Sequence, residues 1–527
     1  MPRRKFQMIK SSVLSAILAL FLTSAMAAQS PDARTTSKEN VSERTVAQAD
    51  KKKQDAETPA VGSPTTAPTA TPAGKKSSGG RRWAFYFGGG GGMGMWAADT
   101  TTINTTTGVC RLCIPIRQGG QGAFGTVTAG ADFKVGSKWI VGGMFDYDFG
   151  RIKGTIQDQD PFSVATANEK WAWDVGARVG LMVAPRVLVY TSGGYTSARF
   201  DSGVAVRGFN GAQFSPSVTY QNIRDKGAFA GVGAEYFFKH GWFWRGEYRW
   251  AGFKGRNFLA CSSAGCGTAN TFNSIHFVPK VETGRVEFGY RFGEVDDSAG
   301  SGSSNSDSRR WAVYFGGGGG MGMWTADTTT VDSVTGACFL CTNQRQGGQG
   351  PFGTVSTGVD FRVGSKWLVG GLFDYDFASI KGHIQDQGPY SVAPAKEKWA
   401  WDFGARLGYM IRQNVLVYAS GGYISASFAS GAAVNNPAGG TPFTPPINYQ
   451  GFTDRGAFGG VGAEYYFHSG WFTRGEYRFA GFDGKDFVAC SSAGCGTVNT
   501  SFASIHAIPK TENGRIVIGY RFGYNGH

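Results

Sequence analysis

Past about residue 28 the sequence has no apolar run approaching the roughly 18 residues that a membrane-crossing helix needs. This excludes helical membrane proteins, but not closed barrels, whose strands also satisfy every backbone N–H and C=O group in lipid. Charge is sparse, at 17% of residues, and histidine is scarcer still, with 6 in 527. The formal net charge is +14, yet lysine and arginine are scattered rather than gathered on one stretch, so the chain lacks the basic footprint of a nucleic-acid binder. Two things are plentiful: 81 glycines and 14% aromatic residues. That mixture is poor for helices and suits strongly curved strands.

The sequence is written twice. Arg82-Trp83, the glycine run Gly88 to Gly92 and Met93-Gly94-Met95-Trp96 return as Arg310-Trp311, Gly316 to Gly320 and Met321-Gly322-Met323-Trp324, 228 residues further on. A repeat this long exceeds a solenoid unit, so each copy is expected to bury its own apolar surface.

Residues 1–28 join a basic start (Arg3, Arg4, Lys5, Lys10) to an apolar run from Val13 to Leu22 and the small-residue pattern Ser24-Ala25-Met26-Ala27, which reads as a signal peptide. Residues 29–80 are rich in Thr, Ala, Pro, Ser and Lys and carry too little apolar surface to fold, as expected of a periplasmic tether. The acidic, Ser/Gly-rich stretch 294–308 reads as a linker between a first domain, 81–293, and a second, 309–523, with 524–527 as a short tail.

Within a copy, eight segments of about 12 to 16 residues alternate with period two. Trp242, Trp244, Tyr248 and Trp250 share one face while Arg245, Glu247 and Arg249 share the other. Val286, Phe288, Tyr290 and Phe292 likewise oppose Arg285, Glu287 and Arg291. Trp139, Val141, Phe145, Tyr147 and Phe149 oppose Asp146 and Asp148, and Trp171, Trp173, Val175 and Val179 oppose Asp174 and Arg178. A soluble sandwich would turn the charges to water; a barrel in lipid turns the aromatics out and the charges into its lumen. The connections favour the barrel. Gly136-Ser137-Lys138, Ala184-Pro185-Arg186 and Lys239-His240-Gly241 are short turns, whereas 100–121, 153–168, 201–224 and 255–281 read as long polar loops.

The glycine-rich first strand and the closing strands Gly284-Arg-Val-Glu-Phe-Gly-Tyr-Arg-Phe292 and Gly514-Arg-Ile-Val-Ile-Gly-Tyr-Arg-Phe522 resemble those of the small OmpA-type eight-stranded barrels, and among them the alphaproteobacterial outer-membrane porin-family group. The resemblance implies an outer-membrane location, help from the barrel-assembly machinery, lipid and lipopolysaccharide as surroundings, and loops that meet an extracellular ligand. The family usually carries one barrel, and here the chain continues past Phe522. The fold expected is all-β, two tandem eight-stranded antiparallel transmembrane barrels; the alternative is a single sixteen-stranded barrel, which would enclose water. The polar linker and the complete opening and closing strands of each copy favour two.

The residues that could carry chemistry are few. Cys110 and Cys113, Cys261 and Cys266, Cys338 and Cys341, and Cys490 and Cys495 form matched pairs that outside the cytoplasm read as structural disulfides, with connectivity left open within or between loops. A zinc site or a thiol-exchange pair has the spacing without the surrounding motif, and Ile114 and Thr342 stand where c-type heme attachment needs His. Gly89-x-Gly91-x-x-Gly94 matches a dinucleotide fingerprint with no helix behind it, so the glycines are read as room for bulky neighbours. Inward charges Asp132, Lys134, Asp174, Arg178, Glu235, Arg245, Glu247, Arg249, Arg285, Glu287 and Arg291 are expected to pair across the lumen, as are Arg474, Glu476, Arg478, Arg515 and Arg521 in the second copy. Val517 replaces Glu287 there and makes that lumen more positive. Ser274-Ile-His276 and Ser504-Ile-His506 invite a hydrolase reading, but Glu282 and Glu512 are loosely placed for the orienting acid; no catalytic residue and no cofactor is expected. Phe162, Phe209 and Phe214 offer loop aromatics to heme or another ligand, a further alternative.

Overall fold

The computed structural model describes residues 82–159, 162–208, 210–267, 272–293, 310–386, 391–436, 439–467, 470–497 and 503–523. The signal peptide, tether, linker, C-terminal tail and Phe209 read from the sequence lie outside them.

Eight long strands make up the first half: β1 (Trp83–Ile103), β2 (Cys110–Val135), β3 (Trp139–Gln159), β4 (Phe162–Ala184), β5 (Val187–Ser202), β6 (Ile223–Phe237), β7 (Trp242–Phe253) and β8 (Ser274–Phe292). The second half repeats them as β9 (Trp311–Val331), β10 (Cys338–Val363), β11 (Trp367–Asp386), β12 (Ser391–Arg412), β13 (Val415–Ser430), β14 (Phe452–Tyr466), β15 (Trp471–Phe482) and β16 (Ser504–Phe522). Each strand pairs antiparallel with the next, and each ladder closes on itself. β1 meets β8 from Phe85 opposite Phe292 to Ile103 opposite Ser274, and β9 meets β16 from Val313 opposite Phe522 to Val331 opposite Ser504. Among the described residues the halves share only one backbone bridge, Gln118 with Gln346. The backbone therefore forms two closed eight-stranded ladders rather than one of sixteen.

The alternation read from the sequence is the in/out alternation of these barrels. Trp83, Phe85, Trp139, Phe145, Phe149, Trp244 and Phe288 are exposed on the outer wall, while Asp132, Asp146, Arg178 and Glu235 are buried inside. Glycine is required where β1 and β8 approach. A Cβ on Gly90 would lie 2.0 Å from the Val286 carbonyl oxygen and one on Gly92 2.0 Å from that of Gly284; of the pseudo-fingerprint's own glycines, Gly91 would put a Cβ 2.7 Å from the Phe124 carbonyl oxygen and Gly94 one 2.8 Å from the Ile152 side chain, so the whole run is a close-packing device.

Of the long polar loops expected at one end, 100–121 and 153–168 are largely strand, while 201–224 is mostly irregular, with only the short pieces Val206–Arg207 and Thr219–Tyr220 between the long strands. β2 runs for 26 residues, and Thr155 pairs with Thr166 in a hairpin that extends β3 and β4 past the aromatic girdle. Polarity marks where these strands leave the lipid, not where they stop; threonine-rich alternating segments keep good ladder geometry in water.

Candidate functional site

The lumen of the first barrel is a stack of arginines paired with buried carboxylates, several of which they share. Arg178 pairs with Asp132 at 2.6 Å and with Glu235, and Arg245 takes Glu235 at 2.6 Å and Glu287 at 3.0 Å. Arg291 meets Asp132 at 2.8 Å. One level along, Arg249 gathers Asp146 (2.7 Å), Asp174 (2.5 Å) and Glu247 (2.8 Å), and Arg285 meets Asp148 at 2.9 Å. Tyr190 and Ser192 donate their hydroxyls to Glu247 at 2.8 and 2.9 Å. The guanidiniums of Arg178 and Arg245 stack over Tyr86 at 4.2 and 4.8 Å. Both arginines are only 1% exposed. Unpaired charges at such sites would cost several kcal/mol each, so the pairing is what lets the lumen be filled by polar side chains.

The second lumen repeats the design. Arg474 pairs with Glu464 at 2.7 Å, Arg478 with Asp374 (2.7 Å), Asp402 (2.6 Å) and Glu476 (2.9 Å), Arg515 with Asp376 at 2.9 Å and Arg521 with Asp360 at 2.9 Å. Arg406 joins Asp360 and Glu464, both at 2.5 Å. Val517 is buried where the first barrel has Glu287, and Arg474 bonds the Ser356 hydroxyl at 2.9 Å. The inward acids and arginines singled out from the sequence sit in these networks, and Lys134 is half-buried near the turn between β2 and β3. Asp360, Asp374, Asp376, Asp402, Arg406 and Glu464 were not singled out, although the repeat offset from their first-copy counterparts points to each.

Between the barrels lies a seam with pseudo-two-fold symmetry. A Cβ on Gly284 would lie 2.6 Å from the Tyr477 ring and one on Gly514 2.7 Å from the Tyr248 ring, so each tyrosine lies over a glycine of the other half. Arg117 donates to the Lys381 carbonyl at 2.9 Å and Arg345 to the Lys153 carbonyl at 2.7 Å. Matched residues also meet: Gln118 with Gln346, Met95 with Met323, Tyr248 with Tyr477, and Val187 with Val415. Such self-contacts recur along the height of the wall, which requires the pseudo-axis to run along the barrels and both to point the same way. Glu282 and Glu512, outward on their strands, are buried here beside Tyr248 and Tyr477.

Beyond the girdle, the cysteines pair locally: Cys110 with Cys113, Cys261 with Cys266, Cys338 with Cys341 and Cys490 with Cys495. Phe214 is not a free stacking surface as expected from its loop position. It is buried, packed edge-on to Phe272 at 5.0 Å and under the Arg207 guanidinium at 4.9 Å. The Ser274 hydroxyl is shared with Thr105 at 2.9 Å and accepts from the Ala260 N–H at 3.1 Å, while His276 Nδ1 faces Asn257 at 2.7 Å. In the second copy Ser504 bonds Ser333 at 2.8 Å and His506 Nδ1 faces Asp486 at 2.6 Å. Serine and histidine thus have separate partners in both copies. His276 has its imidazole pKa pushed down by burial, against the pull of Asp225.

Residues 298–522 match the family described as the outer membrane protein beta-barrel domain. The chain is an outer-membrane β-barrel protein. The match spans the second copy, and the first copy has the same strand order and the same closing ladder. No curated protein matches. Among solved structures, a FadL homologue of Pseudomonas aeruginosa is 9% identical over 83% of this chain and 90% of its own, with a TM-score of 0.25. The translocator domain of the autotransporter NalP from Neisseria meningitidis is 11% identical over 85% and 90%, with a TM-score of 0.23. Ail of Yersinia pestis, solved with a heparin analogue, is 14% identical over 39% of this chain and 99% of its own, with a TM-score of 0.19. At these scores the likenesses carry no functional assignment.

Proposed function

We propose that this outer-membrane protein serves a structural and surface-interaction role, with two narrow barrels side by side in the membrane, extended hairpins presented outside, and at most slow passage of small solutes. The observation that carries the reading is the filled lumen. Arg178, Arg245 and Arg249, with their counterparts Arg406, Arg474 and Arg478, span each interior and are held by buried carboxylates, Arg474 by Glu464 together with the Ser356 hydroxyl. An eight-stranded barrel has room for such side chains and little else, whereas a diffusion porin needs a wider ring. The seam supports the same reading, since the halves meet there through side chains and one backbone bridge, Gln118 with Gln346, where a fused pore would carry a continuous hydrogen-bonded ladder from one half into the other. The outer-leaflet lipopolysaccharide, the assembly machinery and a ligand at the hairpins are the partners this role calls for, and it assigns no catalytic residue and no cofactor.

The test is planar-bilayer conductance of the purified full chain. Channels of small, flickering conductance are expected; steady openings in the nanosiemens range would overturn the assignment and favour a sixteen-stranded pore.

A further inference from the structure

The halves match closely in the lumen and differ on the outer wall just above the girdle. In the first barrel Trp171 stacks on Tyr147 with ring centres 6.4 Å apart, and in the second Trp399 stacks on Tyr375 at 6.5 Å. The aromatic platform is common to both. What stands beside it is not. Across the ladder from Trp171 comes Arg199, and across from Arg199 comes Arg224. The second barrel has Ser427 and Thr453 in these places. One row away, the Lys254 N–H bonds the Lys226 carbonyl at 3.0 Å, bringing two exposed lysines together. The matching pair in the second barrel is Arg455 and Asp483, an ion pair at 3.8 Å.

Like charges directly opposite on adjacent strands are destabilising; Arg199 and Arg224 are such a pair, and Lys226 and Lys254 come together beside them just past the end of β7. Asp201 borders the cluster, 2.5 Å from Arg199 and 3.2 Å from Lys170. Arg224 lies over the Trp171 ring at 5.1 Å, its guanidinium held at the edge of the apolar band. Planar guanidiniums bind phosphate in a forked, charge-assisted fashion, and a flat aromatic beneath them suits a ligand with an apolar body below its anionic head.

We propose that the outer rim of the first barrel, centred on Arg199, Arg224, Lys226 and Lys254 over Trp171, is a binding site for the phosphorylated glycolipid of the outer leaflet, and that the second barrel lacks it. Height and sign argue for this occupant: the cations stand at the level where lipid headgroups begin, facing away from the lumen. The inference deepens the surface-interaction reading and rests on the barrels being membrane-embedded, but not on whether they conduct.

The experiment uses the full chain in detergent, with bisphosphorylated lipid A as probe and its dephosphorylated form as control. Binding of bisphosphorylated lipid A with at least tenfold preference over the dephosphorylated form is expected. The R199S/R224T variant, which installs the second barrel's residues, is expected to lose about tenfold in affinity, and S427R/T453R to gain a second site. Heat-modified electrophoretic mobility confirms that each variant folds. Unchanged binding by R199S/R224T, equal binding of the dephosphorylated lipid, or equal displacement by phosphatidylglycerol would each overturn the proposal. Conductance stays as in the parent in every case, so failure here is distinguishable from failure of the plugged-barrel reading.

Discussion

The two barrels are nearly the same inside and unlike outside. Their lumens share the arginine hubs, the carboxylates and the tyrosines beneath them, with Glu287 against Val517 as the main exchange. Their outer rims have exchanged Arg199 for Ser427, Asp201 for Ala429, Arg224 for Thr453 and Lys254 for Asp483. The difference follows from what each position touches. A lumen charge is bound to several partners at once, so one substitution strands the others in a low-dielectric interior. A rim charge meets water and headgroups and can change alone at little cost.

The largest break in this symmetry should come from the hubs. Arg249→Met leaves Asp146, Asp174 and Glu247 without their shared cation, and Arg478→Met does the same to Asp374, Asp402 and Glu476. Each should cost its own barrel about 3–5 kcal/mol, read from urea unfolding in detergent micelles. Equal losses would support the equivalence of the lumens; a large loss in one half alone would refute it. Next comes the point where the lumens differ. Glu287→Val removes one carboxylate from Arg245 but leaves Glu235, so a loss of about 1.5–3 kcal/mol is expected. Val517→Glu, which restores a partner to Arg474, should be milder than its mirror image. The smallest effect should come from the seam. Gly284→Ala puts a methyl group against the Tyr477 ring and Gly514→Ala one against Tyr248, each weakening the contact between halves by about 1–3 kcal/mol through overpacking. Spin labels on the turns at Lys138 and Lys366 would report a broadened distance while each barrel keeps its own unfolding midpoint.

Much of the barrel wall could be read from residues alone. Period two fixes which side chains share a face, and a face of Trp, Phe and Val beside a face of Asp, Glu and Arg has one arrangement that suits lipid. This is why Arg178, Arg245 and Arg249 are recognisable as inward from the sequence. The seam was not recognisable, because Gly284, Glu282 and Tyr248 stand on the outward face, where nothing local separates a lipid-facing residue from one that meets a second barrel. Glu282 held the clearest hint: a carboxyl on the lipid-facing side needs covering, and its apparent looseness as a catalytic acid was the sign of a residue used elsewhere. The hairpins past the girdle were hidden for another reason, since threonine-rich segments such as Thr100–Thr102 have loop-like polarity and strand-like backbone preference. The four disulfides stayed open because spacing limits which cysteines can meet without choosing among them.

The reciprocal tyrosine-on-glycine contact has one more consequence. Two separate but identical polypeptides docked through such a surface would be obliged to wear the same coat, since any change in one appears in the other. Joined in a single chain, the partners are released from that obligation: one can acquire a cationic collar while its twin keeps a neutral one, and the assembly gains a front and a back in the plane of the membrane.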